Sequence, residues 1–270
     1  AISAADYDKY IKLQKARRGA GRFFKQCYNW TAGWVLPNYD LSEEDVLVPL
    51  NAAKLVDDLL EVHAHEALID GCFNGDPHPG NILYANGKLA LIDYGQVKRM
   101  SKQQRLDTAK SILLVEEAIK TDPRSKPTCS PKVHEHARQA LIAHARKTGM
   151  KTKYDMDETY YQMMTVYLGR MDAAWVYPRN IIQWTDYMQD MDPLTDIDQV
   201  DHLVLLNMGT MMLRGLGQML RQPRNMATAW APTARKALAA EGMLEELDAE
   251  IASWYADEEE QTVDEEKKNN

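Results

Sequence analysis

Apolar residues recur at three- and four-residue spacing over most of the chain, and one short stretch breaks that period with strand-like runs. Leu55, Val56, Leu59, Leu60, Val62, His63, Ala67 and Leu68 form a stripe wide enough to face a core. With Asn51 as N-cap, the stripe predicts a helix to about Leu68, stopped by Asp70-Gly71. Ile82-Leu83-Tyr84 and then Leu89 to Ile92 read as two short strands around Asn86-Gly87. Asn-Gly between apolar runs is a strong hairpin signal, because both central turn positions need positive φ. Beyond Gly95 the helical period returns. Ser101 with Gln104 has the form of a capping box opening a helix to about Lys120. Residues 133–147, 157–170, 180–191 and 197–221 predict further helices, and Pro232 starts one that runs to about Tyr255. Residues 122–132, with Pro123, Pro127 and Pro131, read as a loop. Upstream, Tyr7, Ile11, Leu13, Phe23, Phe24 and Cys27 give a looser period, predicting one or two helices broken near Gly19 and Gly21. No repeat of fixed period is present.

The pattern predicts a mainly α chain with a small β-hairpin, in three parts. Residues 1–40 are an aromatic and basic helical extension, and 41–256 are the main body. The charged segment 257–270 has no apolar anchor and is expected to be disordered. With 270 residues, 45% of them apolar, the chain can bury one good core or one domain with appendages. A net charge of −8 argues against nucleic acid or an anionic membrane as main partner, since both require a basic face. The local cluster Lys12, Lys15, Arg17, Arg18 and Arg22 reads as a solvated helix face. No uncharged apolar run reaches the length of a membrane span, because 203–220 is interrupted by Asn207 and Arg214. Cys27, Cys72 and Cys129 are scattered and odd in number, which fits a reducing compartment better than a disulfide framework. His63 and His65, and His134 and His136, are two apart and so point to different helix faces, not to a metal pair. The tryptophans and methionines read as packing residues, some of which could line a lipid or quinone contact. The first residue is Ala rather than Met, which suggests a processed or partial sequence, so a missing targeting signal carries no information.

The chemistry concentrates in 71–95, GCFNGDPHPGNILYANGKLALIDYG. Singly, its residues have plain explanations: Asp76-Pro77 and Pro79-Gly80 as turns, Asn81 as a cap, Asp93 as a strand end. Their conjunction is specific. Asp76, then Asn81 five residues on, a hairpin, and Asp93-Tyr94-Gly95 form the arrangement by which protein kinases hold metal and nucleotide phosphates. Mg²⁺ takes hard oxygen ligands and ATP brings phosphate oxygens, so one or two carboxylates and an amide suffice.

FNGDPHPGNIL followed by LALIDYGQVK resembles the ABC1 family (also called UbiB or ADCK), atypical protein-kinase-like proteins of mitochondria, plastids and bacteria. The family stretch is close to F-H-A/G-D-P-H-P-G-N and then D-F-G. This chain has Asn74 where histidine is common, and Tyr94 for phenylalanine, expected to keep its aromatic packing role. The region from Ser101 to about Leu238, including Met212 to Gly217, is similar to the family's C-terminal lobe. The resemblance implies a protein-kinase-like C-lobe (α+β) over 41–256 that binds Mg²⁺ and ATP and transfers or hydrolyses the γ-phosphate. Asp76 would accept or orient the proton of the attacking group, while Asn81 and Asp93 hold the metal. His78, Gly80 and Gly95 would support the nucleotide loop, Gly95 by backbone freedom and His78 by hydrogen bonding rather than as a base. It also implies a mitochondrial or plastid location and a link to ubiquinone or another prenylquinone, with a lipid or organelle protein as partner.

Other parts of a kinase are not recognisable. There is no Val-Ala-x-Lys run, no glycine- or alanine-rich nucleotide loop and no K-x-G-Q motif, and Lys54 lies on the amphipathic helix. The expectation is therefore a C-lobe without a recognisable N-lobe. Two other readings stay open: a catalytically silent kinase-like scaffold, and a small-molecule phosphotransferase of the aminoglycoside or choline kinase type, whose H-G-D-L-H-x-x-N and I-D-W/F signatures are similar.

Overall fold

The computed structural model of the protein describes residues 4–31, 51–85, 88–125, 127–169 and 176–268. The chain divides into two units, 1–55 and 56–270, each described by itself. In the first, the N-terminal helix does not break at its glycines: α1 runs Ala4–Thr31 through Gly19 and Gly21. A helical glycine costs only about 1 kcal/mol relative to alanine, too little to interrupt a helix this long. Asn51 caps the next helix, α2 (Ala52–His65), its Oδ1 accepting the Lys54 N–H at 3.0 Å.

The second unit begins within α2 and turns directly into the motif. After His65 the helix widens into one π turn, Glu66–Asp70, and stops at Gly71, whose φ of 65° is left-handed. The predicted stop is met, but by a π turn that the apolar spacing did not disclose. Strand β1 (Cys72–Asn74) follows, then a 3-10 turn (Pro79–Asn81) and the hairpin of β2 (Ile82–Ala85) and β3 (Lys88–Leu91). The Asn86-Gly87 turn itself lies outside the described residues. Strand β4 (Val97–Arg99), which the sequence pattern missed, pairs antiparallel with β1, Phe73 opposite Lys98.

The helices behind this unit are α3 (Lys102–Thr121), α4 (Pro131–Lys147), α5 (Asp157–Tyr167), α6 (Ile181–Met191), α7 (Asp201–Met219), α8 (Met226–Ala239) and α9 (Leu244–Lys268). The expected capping box at Ser101 and Gln104 is present, and Asn180 with Gln183 forms a second. Helix α3 is the centre of the core, packed against α4 and α8. Its Ile112, Leu113 and Leu114 are fully buried, each stabilising the fold by roughly 1.5–3 kcal/mol. Helix α8 meets it with Ala227, Ala234 and Ala237, small residues that permit close approach, and with the buried Trp230.

Three boundaries differ from expectation for local reasons. Pro131 belongs to the first turn of α4, where its missing N–H costs nothing. Pro232 lies inside α8, which starts earlier at the Asn225 cap. Helix α9 carries the backbone to Lys268, through the charged segment expected to be disordered; Glu, Gln and Lys there are good helix formers, with no Gly or Pro before its end. A further short pair, β5 (Lys151–Thr152) with β6 (Leu194–Thr195), was also missed. It is organised by the buried Asp192, which accepts the Thr152 hydroxyl at 2.6 Å and the Tyr154 and Met156 N–H groups at 2.6 and 3.0 Å. No helix among the described residues is long and apolar enough to cross a membrane.

Candidate functional site

Three connections gather the motif. The β1–β4 pair closes its base: Gly75 N–H donates to the Gln96 carbonyl at 2.7 Å and Met100 N–H to the Gly71 carbonyl at 2.8 Å. The hairpin register, Ile82 opposite Leu91, returns the chain beside Asn81, whose carbonyl accepts the Ile92 N–H at 3.0 Å. Asn81 is thus bonded to the residue just before Asp93, although twelve residues separate Asn81 and Asp93 in sequence.

The third connection is the carboxamide of Asn74. This residue is buried, and both ends of its side chain are used. Nδ2 donates to the Asp93 carbonyl at 2.8 Å, while Oδ1 accepts the Asp76 N–H at 2.9 Å. One amide therefore ties the Asp76 loop to the Asp93 loop. An aliphatic side chain could do neither, and a carboxylate would lack the donor.

Around these loops each supporting group has a partner. His78 caps the 3-10 turn, its Nδ1 accepting the Gly80 N–H at 3.0 Å. Asp93 Oδ1 accepts the Gly95 N–H at 2.8 Å. Gly95 is not among the positive-φ glycines; a Cβ there would lie 3.2 Å from Asp93 Oδ1, so its lack of a side chain serves close approach rather than a left-handed turn. Tyr94 does not pack as a core aromatic: its ring is 50% exposed and its hydroxyl donates to Glu66 Oε1 at 3.0 Å. Glu66 Oε2 also accepts the Asn74 N–H, at 3.4 Å. Partial burial, then the bond to Glu66 and its charge, push the Tyr94 phenol up to about 12. Nothing in the sequence marked Glu66 as a partner. Asn74 was visible only as a departure from a motif.

In contrast, among the described residues no hydrogen bond or ion pair engages the Asp76 carboxylate, the Asn81 carboxamide or Asp93 Oδ2. Asp76 and Asn81 are partly buried and Asp93 is exposed, so the three groups stand open to solvent on one loop cluster. The same parts of the chain leave an apolar surface uncovered. Leu83, Ala90 and Ile92 alternate to the exposed side of the hairpin, with Leu83 directly opposite Ala90.

Behind Asn74 lies a cavity of about 10 Å³ lined by His63, Phe73, Leu206, Thr210 and Trp230 among others, too small for anything beyond a water molecule. His63 Nδ1 bonds the Leu59 carbonyl at 2.8 Å, and burial holds its pKa below the usual histidine value. The groups of the motif without a partner among the described residues lie on its open face. The donor set there suits a hard cation: one carboxylate, one amide, a second carboxylate close by. Among the described residues no group of three or more His, Cys, Asp and Glu could hold a metal alone. Bound here, a cation would complete its shell with phosphate oxygens and water.

Helix α7 and helix α3 brace this cluster. Lys98 of β4 pairs with Asp201 in the first turn of α7, and a side chain at Gly209 would touch Pro77. Arg105 of α3 donates to the Ile69 carbonyl at 2.7 Å and the Leu68 carbonyl at 3.4 Å, occupying the carbonyls left open by the π turn.

Residues 28–124 match the family model described as the ABC1 atypical kinase-like domain. An uncharacterised protein of Synechocystis sp. is 48% identical over 48 residues, 17% of this chain and 12% of that protein. A protein of Clostridium pasteurianum, described as uncharacterised and lying in the hydrogenase 1 5′ region, is 41% identical over 46 residues, covering 17% and 9%. A second uncharacterised Synechocystis protein is 32% identical over 65 residues, covering 24% and 10%. The matched segments thus span about a tenth of the length of these curated relatives. No solved structure matches.

Proposed function

We propose that the motif binds a Mg²⁺–ATP complex and directs the γ-phosphate to a hydroxyl group or water, a reading supported by the match of residues 28–124 to the ABC1 atypical kinase-like family model. The observation that carries this reading is the contrast within the cluster. The supporting groups Asn74, His78, Glu66 and Tyr94 are all engaged, while Asp76, Asn81 and Asp93 Oδ2 are unspent among the described residues. In the free protein water can satisfy these three groups, so a cation and phosphate oxygens could engage them without breaking an intramolecular bond.

Asp93 and Asn81 would hold the cation, which supplies charge neutralisation for the nucleotide phosphates. Asp76 receives or orients the proton of the attacking oxygen; its loop is fixed to that of Asp93 through Asn74. The exposed Leu83, Ala90 and Ile92 offer an apolar floor for a nucleobase beside these groups. The family resemblance extends the proposal to a link with ubiquinone or another prenylquinone in a mitochondrion or plastid, with a prenylquinone, a lipid or an organelle protein as partner.

Thermal unfolding with and without MgATP tests the binding claim. Wild-type protein is expected to be stabilised, by about 2.7 kcal/mol at a hundredfold excess over Kd. Asp93→Asn should lose most of that shift, and Asp76→Asn should keep it while losing turnover. Equal shifts in wild type and Asp93→Asn, or none in either, would sink the metal-site reading.

A further inference from the structure

We propose that Glu66 and Tyr94 are a positioning pair: one phenol–carboxylate hydrogen bond holds loop 93–95 in the geometry that presents Asp93. The metal-presenting part of this inference rests on the function proposed above.

Tyr94 stands between Asp93 and Gly95, so whatever fixes its side chain fixes the backbone that carries the carboxylate. Packing does not fix it, because half of the side chain is exposed. The contact it has instead is directional: its hydroxyl donates to Glu66 Oε1 at 3.0 Å, across 28 residues of sequence.

Glu66 is a firm anchor. Its carbonyl accepts the Gly71 N–H that closes the π turn, and Arg105 secures the carbonyls at the end of the same turn. Its second oxygen faces the Asn74 N–H at 3.4 Å. A single carboxylate therefore reaches both the strand that leads to Asp76 and the loop that carries Asp93.

The other attachments of this loop are few. Asn74 Nδ2 holds the Asp93 carbonyl, and the Gly95 N–H bond to Asp93 Oδ1 is internal to the loop. Beyond it the Gln96 carbonyl accepts the Gly75 N–H at 2.7 Å, and ladder pairing resumes at Val97. The Tyr94 bond is thus the side-chain tether between Asp93 and β4, and a phenylalanine at this position would lose it.

Amide hydrogen exchange of 93–97 in the full chain, without ligand, tests the tether. Tyr94→Phe and Glu66→Ala should each accelerate exchange roughly three- to tenfold, as expected for losing one half-exposed hydrogen bond of ordinary strength. Glu66→Gln keeps an acceptor oxygen and should stay within about twofold of wild type. A second readout is binding of Mn²⁺ in the presence of ADP, compared with ADP alone. Tyr94→Phe should weaken the metal-dependent part and leave metal-free ADP binding unchanged. Unchanged exchange in Tyr94→Phe would overturn the pair outright, and faster exchange with unchanged Mn²⁺ binding would overturn its positioning role. Wild-type protein that binds no Mn²⁺–ADP would instead overturn the proposed function, while the exchange data would still decide whether the tether exists.

Discussion

Asn74 shows how much a single side chain can hold. Its carboxamide is buried, donates to the Asp93 carbonyl and accepts from the Asp76 N–H, so truncation leaves two backbone groups without partners. Asn74→Ala is expected to destabilise the protein by about 2 kcal/mol, read as a lower urea midpoint at unchanged slope. Asn74→Asp keeps the acceptor but sets a carboxylate against the Asp93 carbonyl, so it should cost at least as much, and the deficit should shrink as pH falls and the acid regains a donor. If both variants matched wild type, the bridge would be energetically idle. None of this was legible from the motif alone. The motif showed only an asparagine where histidine is common. What matters is the amide's paired donor and acceptor, which have meaning only once the hairpin brings Asp93 back. The same holds for Tyr94, expected to pack like phenylalanine and found instead half exposed and bonded through its hydroxyl.

Among elements, those with strong local chemistry were readable and those made by distant pairing were not. Helices α2, α3 and α6 announced themselves through an apolar stripe or a cap, and the hairpin through alternation around Asn-Gly. Strands β1 and β4 are three residues each, too short for a period, and they form only because the chain between them folds back. The π turn is likewise invisible in the stripe, because it adds one residue per turn without altering which residues are apolar. Its stability depends on Gly71 and Arg105. Gly71 has φ of 65°, and a Cβ there would sit 3.4 Å from Arg105 Cδ, so Gly71→Ala should cost about 1 kcal/mol or more. Arg105→Ala uncovers the Ile69 carbonyl and should cost roughly 1–2 kcal/mol. Because the two residues meet, their effects should not add. A double variant no worse than the poorer single one would locate both in this turn, whereas strict additivity would separate them.

At the scale of the whole molecule, buried histidines set the response to acid. Burial lowers His63, His144 and His202 from the ordinary value of 6.5, against opposing contributions from Glu66 near His63, Asp107 near His144, and Asp201 near His202. Lys110 and Lys147 face His144 and Lys98 faces His202, favouring the neutral rings. The hydrogen bonding of His202 points the same way. Gln104 Oε1 accepts the Ser101 N–H in the capping box, which leaves its Nε2 to donate to His202 Nδ1 at 3.1 Å. A protonated ring would set donor against donor. With folded-state pKa values below the unfolded 6.5, the unfolded chain takes protons first, so stability is fully present above about 6.5 and falls as pH drops beneath it. A second loss belongs to Asp122, Asp192 and Asp201, whose folded pKa values lie below 3.8. Burial raises Asp122, but the bonds from Arg124 outweigh it, and bonds from Thr152, Tyr154 and Met156 do the same for Asp192. Asp201 is lowered chiefly by its bond from Lys98. These carboxylates stabilise the fold above about 3.8 and lose that contribution as pH falls further. Urea midpoints should therefore decline in two stages, beginning near 6.5 and again near 4. His202→Gln keeps a polar side chain but cannot take a proton, so it should flatten the first stage and leave the second intact. A midpoint that rises as pH is lowered from about 7.5 to about 5.5 would mean that the folded protein binds these protons more tightly than the unfolded chain, the reverse of what the burial of the three rings requires.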